Sequence, residues 1–186
     1  MRRSPSLDMP RRLAPPAVLA ALVLSALAPE PAAAQGGDPG IDALRTNWEQ
    51  VIRNITVAAE ELTDADYAYK PVATVRSFGE LIGHVAGSQF MICAAALGEP
   101  QPAEDAVERS AKTKAALVQA LMESTAYCAR AYAIPASAAG VPVTLFGSPS
   151  TRVGALALNA VHDGEHYGNI ITYMRMKGMV PPSSRR

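Results

Sequence analysis

A surplus of charge is the first thing this sequence lacks. Its 17 basic side chains are matched by 17 acidic ones, which leaves no electrostatic basis for holding nucleic acid. Histidine is scarce, with three in 186 residues, so any imidazole-based site must be built from His84, His162 and His166. Two cysteines, Cys93 and Cys128, allow at most one bridge. The apolar run Leu13–Leu27 spans 15 residues, short of the roughly 20 needed to cross a bilayer. There is no internal repeat and no convincing strand pattern.

What that run does fit is an export leader. In "MPRRLAPPAVLAALVLSALAPEPAAAQ" basic residues precede the apolar stretch and small residues follow it, the order of a cleavable signal peptide. Residues 1–34 are therefore expected to be removed between Ala34 and Gln35. That leaves 152 residues, 35–186, with 13 basic and 15 acidic side chains, enough for one domain with its own core. The expected location is periplasmic or secreted, with no stable membrane insertion after cleavage. An oxidising compartment also favours a bridge between the two cysteines.

Along residues 35–186 the apolar period is helical. In "IDALRTNWEQVIRNITVAAEEL" the residues Ile41, Leu44, Trp48, Val51, Ile52, Ile55, Ala58 and Leu62 share one face. A second helix opens at Ser77, where Glu80 completes capping-box spacing, and stops after Leu97 at "GEP". Residues 98–110 are polar, contain Pro100 and Pro102, and read as a loop. A third helix is expected over "AKTKAALVQALMESTAYCARAYA", and a fourth from about Thr151 to Lys177, ended by Gly178 and Pro181-Pro182. Four such helices predict an all-α, four-helix bundle.

The chemistry concentrates in "NAVHDGEHYGNIITYMRMKG". His162 and His166 are four residues apart, which puts both imidazoles on one helix face about 6 Å apart at Cβ. Two nitrogens can then converge on one ion at about 2.1 Å. With Ile170 and Met174 flanking the pair, this face is expected to look into the bundle. His84 stands mid-way along the second helix among Leu81, Val85, Ser88 and Met91. It would be the third ligand of a facial triad with open positions; the other reading is a core histidine bonded to a backbone or hydroxyl group.

At these residues the sequence resembles a known family. "YKPVATVRSFGELIGHVAGSQFMICAAALGEP" and "NAVHDGEHYGNIITYMRMKGMVPPSS" look like the two signature stretches of DinB-like proteins. The resemblance implies an up-down-down-up bundle with a long crossover between helices two and three, and a metal held by His84, His162 and His166. Three histidines suit a divalent ion such as Zn, Ni or Fe, and the resemblance implies an activity like that of relatives that are thiol-dependent transferases and isomerases. A metal-dependent hydrolase or S-transferase is thus expected, with Glu165 as the carboxylate that moves the proton. The alternative is a non-catalytic, stress-related protein that binds metal or a small ligand. Expected partners are an unidentified small molecule, with a homodimer allowed.

"HDGEH" also satisfies H-x-x-E-H, an inverted zinc-protease pattern. That chemistry needs a later third ligand and a strand edge for extended substrate. Only 20 residues follow His166, and a helical bundle offers no edge. Asp163 is turned off the chelate face and reads as a solvated or ligand-supporting carboxylate. Cys93, nine residues after His84, is half a turn away from it on the helix. If helices two and three run parallel, Cys93 and Cys128 stand at one height. The 13 residues of the crossover can reach about 43 Å, enough to return along a helix of about 30 Å. A Cys93–Cys128 disulfide between parallel helices is the expected result.

Overall fold

The computed structural model describes residues 38–185; the expected leader at residues 1–34 lies outside them. Helix α1 (Pro39–Glu61) starts because the Asp38 carboxylate accepts from the backbone N–H of Gly40 at 2.7 Å and of Ile41 at 3.2 Å, with Pro39 at the first helical position. Its apolar stripe is buried at Ile41, Trp48, Ile52, Ile55, Ala58 and Leu62. A one-turn helix, α2 (Asp64–Tyr67), lies in the following connection. Helix α3 (Phe78–Leu97) opens with the expected capping box: Glu80 N–H donates to Ser77 Oγ at 3.2 Å and Ser77 N–H donates to Glu80 Oε2 at 2.6 Å. It ends at Gly98, whose φ of 76° is the left-handed conformation a helix stop requires.

The third long helix, α5 (Lys114–Ala131), begins three residues later than the sequence pattern suggests, because Thr113 is the cap and accepts from Ala116 N–H. Helix α6 (Arg152–Met176) runs between the expected ends, Thr151 and Lys177. Two departures from expectation stand out. The crossover contains a short helix, α4 (Ala106–Ser110). A two-stranded antiparallel hairpin, β1 (Pro142–Leu145) and β2 (Ser148–Thr151), lies where no strand was expected. Each strand is only four residues long and carries a proline, too short for alternation to register.

Contacts fix the helix directions. Between α3 and α5 the pairs Gln89–Ser124, Cys93–Cys128 and Glu99–Arg130 ascend together, so these helices are parallel. Between α3 and α6 the order reverses: Tyr173 Oη donates to Arg76 O at 2.9 Å near one end, and Arg152 lies against Gly98 at the other. Lys114 Nζ, at the start of α5, donates to Glu60 O and Leu62 O at the end of α1. The order is therefore up-down-down-up for α1, α3, α5 and α6.

Helix α3 is the centre of the bundle. By length and composition it is apolar enough to cross a membrane, yet 17 of its 20 residues are buried because α5, α6 and the crossover all pack on it. The crossover lies on a glycine ridge. A Cβ at Gly83 would sit 3.0 Å from Glu108 Cα, and one at Gly87 would sit 2.0 Å from Glu104 O. Only glycine lets the crossover backbone lie this close to the helix.

Cys93 and Cys128 are joined by a disulfide with Cα atoms 5.3 Å apart. The two residues are separated by 35 positions, and closing a loop of that length restricts the unfolded chain by roughly 4 kcal/mol in the chain-entropy treatment. Reduction is therefore expected to lower unfolding stability by about 2–4 kcal/mol, read as a shift in urea midpoint with and without reductant. An unchanged midpoint in fully reduced protein refutes this.

Candidate metal centre

The three histidines meet where α3 and α6 cross. His162 Nε2 lies 3.2 Å from His84 Nε2 and 3.1 Å from His166 Nε2, and the three nitrogens fall within 4.8 Å of one another. Ligands 2.1 Å from one ion, at octahedral or tetrahedral angles, are about 3.0–3.4 Å apart. The two shortest spacings match that range. Three neutral imidazoles aimed at one point cannot all satisfy each other by N–H···N bonds, since each Nε2 has a single role. A cation would supply the common partner, and these three side chains could hold a metal ion.

Burial suits that purpose. His84 and His166 are 6% and 8% exposed. Burial, then the Arg76 charge, then the neighbouring imidazoles push His84 down to about 3. Burial, then His162, then Arg76 push His166 down to about 4. Both are thus neutral bases at ordinary pH, the form that coordinates. The pair faces into the bundle: His166 is buried and the His162 side chain is 14% exposed, while Leu158 and Val161 lie on an exposed face of α6. Beside His166 a cleft of about 650 Å³ opens, lined by Lys70, Arg76, Glu108, His166, Asn169 and Tyr173.

The second nitrogens face polar groups. His166 Nδ1 is 3.4 Å from the Asn169 amide, whose oxygen and nitrogen ends can exchange by a flip. His162 Nδ1 is 3.7 Å from Asp163 Oδ1, and His84 Nδ1 is 3.9 Å from Glu108 Oε2. Glu104 Oε1 is 3.9 Å from His84 Nε2 and is held by a 2.9 Å hydrogen bond from Ser88 Oγ.

Asp163 is not solvated. It has no exposed surface, and burial raises its pKa against the opposing effects of His162 and Trp48. Trp48 Nε1 donates to both Asp163 Oδ2 at 3.1 Å and Gln89 Oε1 at 3.2 Å, and Gln89 Nε2 donates to Ser124 Oγ at 3.1 Å. Glu165 is exposed at the cleft wall. Arg152 packs at the Gly98 end of α3, roughly 20 Å along the axis from His84, and does not close over the site. Cys93 sits on the opposite side of α3, bonded into α5.

Sequence reasoning missed Glu104, Glu108 and Arg76. For the two glutamates the only signal was a polar segment with acidic residues four apart, which reads as an ordinary loop surface, and the crossover path brings them to His84. Arg76 stands just before the Ser77 cap of α3 and reaches the site through its ion pair with Glu108.

Residues 47–170 match the family model of the DinB superfamily. A DinB-like protein from Bacillus cereus superposes with a TM-score of 0.65 at 14% identity, covering 76% of this chain and 95% of that one. A structure from Exiguobacterium sibiricum assigned to the DinB family gives 0.58 at 22% identity, covering 77% and 95%. These identities speak to the fold. No curated protein matches the chain.

The depressed histidines make a pH prediction for the metal-free protein. Their native pKa values lie near 3 and 4, below the roughly 6.5 of an unfolded histidine. As pH falls below 6.5 the unfolded chain takes up protons that the native site refuses, so stability declines toward pH 4. Asp163, raised by burial, acts in the opposite direction. Comparing urea midpoints with a His84→Gln/His166→Gln variant in chelator isolates the histidine part. The wild type should lose stability relative to the variant between pH 6.5 and 4; parallel curves would rule this out.

Proposed function

The chain belongs to the DinB superfamily, and we propose that it is an exported protein that holds one divalent ion on His84, His162 and His166 and uses the open side of that centre for hydrolytic or thiol-transfer chemistry. The observation that carries this reading is the 3.1–3.2 Å convergence of ring nitrogens at the wall of an open cleft. When bound, the ion would act as a Lewis acid that lowers the pKa of a water or thiol ligand.

The chain's own groups then have separable tasks. His84 and His166, kept neutral by burial, donate lone pairs; Asn169 fixes His166 by its second nitrogen. Glu165, exposed on the cleft wall, is the carboxylate free to accept a proton from an entering group. Lys70 and Arg76 line the same cleft but are engaged by Glu80 and Glu108, which leaves Glu165 as its unpaired charge among the described residues. Zinc, nickel and iron all suit a nitrogen-donor set.

One observation favours a second reading. Glu104, 3.9 Å from His84 Nε2, would close the centre if it reached the ion, giving a four-ligand binding site without turnover.

Metal content and cobalt spectra discriminate. Wild type should retain close to one ion per chain, and His166→Ala close to none. Full occupancy in that variant rules out the site. Cobalt-loaded protein titrated with a small thiol should develop a sulfur-to-metal charge-transfer band if a position is open. A spectrum unmoved by thiol identifies the closed, non-catalytic form.

Export rests on the basic, apolar and small-residue order of residues 9–34. It places the protein in the periplasm or outside the cell, acting on a small molecule there. Mass spectrometry of the protein from its own cells should find an N-terminus near Gln35. An intact leader on cytosolic protein refutes the assignment.

A further inference from the structure

His84 is 6% exposed, and its Nδ1 is buried with no hydrogen-bond partner among the described residues. A neutral imidazole has one N–H and one lone pair, and the proton resides where an acceptor rewards it. Left alone, His84 would have no reason to keep Nε2 free for a metal. No acceptor on α3 takes a hydrogen bond from His84 Nδ1 among the described residues.

The crossover brings one. Glu108 Oε2 lies 3.9 Å from His84 Nδ1, about 1 Å outside hydrogen-bond distance, a gap that rotation of the glutamate side chain can close. Its position is controlled from two sides. The backbone at Glu108 is seated on Gly83, where a Cβ would meet Glu108 Cα at 3.0 Å. The carboxylate is gripped by Arg76 Nε at 3.1 and 3.3 Å. The Glu108 side chain is 21% exposed, so a bond to His84 would form largely out of water. The other nearby carboxylate, Glu104, faces Nε2 and is occupied by Ser88.

We propose that Glu108 is a positioning residue: anchored by Arg76 on a crossover seated against Gly83, it accepts a hydrogen bond from His84 Nδ1 and so commits Nε2 to the metal. The metal-affinity part rests on the three-histidine reading; the tautomer part does not.

The test uses both readouts. In metal-free protein at pH 8, nitrogen-15 correlation spectra of the imidazoles should show His84 as the Nδ1–H tautomer in wild type and a mixture of tautomers in Glu108→Ala. Zinc affinity, measured by chelator competition, should fall about 10–100-fold in Glu108→Ala. It should be largely retained in Glu108→Gln, which keeps an accepting oxygen, and unchanged in Asp105→Asn, a neighbouring crossover carboxylate paired with Arg109. If Glu108→Ala does not fold, Arg76→Gln, which frees the carboxylate, should produce the same tautomer mixture. A Glu108→Ala variant with wild-type tautomer and wild-type zinc affinity overturns the proposal. If the wild type takes up no zinc but its His84 tautomer still depends on Glu108, the metal reading fails and the positioning role stands.

Discussion

Asp163 is a carboxylate with no exposed surface, and the one hydrogen bond it accepts among the described residues ties the four long helices together. A buried carboxylate is tolerated only where donors reach it. Here the sole tryptophan, Trp48 on α1, supplies one, and its indole N–H is shared with Gln89 of α3, which in turn donates to Ser124 of α5. One chain of polar contacts thus touches all four long helices. It also fixes the rotation of α6. Residues advance by about 100° each around a helix, so if Asp163 faces Trp48, His162 and His166 must face the α3 side. The orientation of His162 and His166 toward His84 follows from where their neighbour is satisfied.

Parallel packing of α3 and α5 has a second consequence for the site. Parallel neighbours need a connection that travels back the length of a helix, and in this chain that connection crosses the outer face of α3 over Gly83 and Gly87. The segment needed by topology therefore passes His84 and places Glu104 and Glu108 beside it. The disulfide secures the same parallel pair through Cys93 and Cys128. Crossover and disulfide both hold α3, the crossover beside His84 and the disulfide half a turn away from it.

These particulars explain what could be read from the sequence. The His162–His166 spacing, the Ser77–Glu80 box and the amphipathic stripe from Ile41 to Leu62 are local patterns, and a helix converts them to positions without further information. The cysteine pairing also followed from heights along two helices once their direction was specified by resemblance. Glu108 and Glu104 were illegible because their neighbours lie 20 to 24 residues away, across a chain reversal with no periodicity. Asp163 was half legible: its rotation off the chelate face was right, but Trp48, 115 positions away, decides that it is buried. The hairpin was missed because four-residue strands broken by proline leave no alternation to detect.

Splitting the three histidines between α3 and α6 would tie any metal affinity to tertiary structure. A chelate confined to His162 and His166 would persist in any helix that preserves their spacing, bound or unbound to the rest of the chain. Adding His84 would make the third bond conditional on the antiparallel contact of α3 with α6, which Trp48 bridges by donating to both Gln89 and Asp163. Binding then draws on folding free energy and returns it. An ion held by all three imidazoles stabilises the native packing over every state in which these helices separate. The desolvated histidines that lower stability in acid are the same ones kept in the neutral form that a metal ion would require.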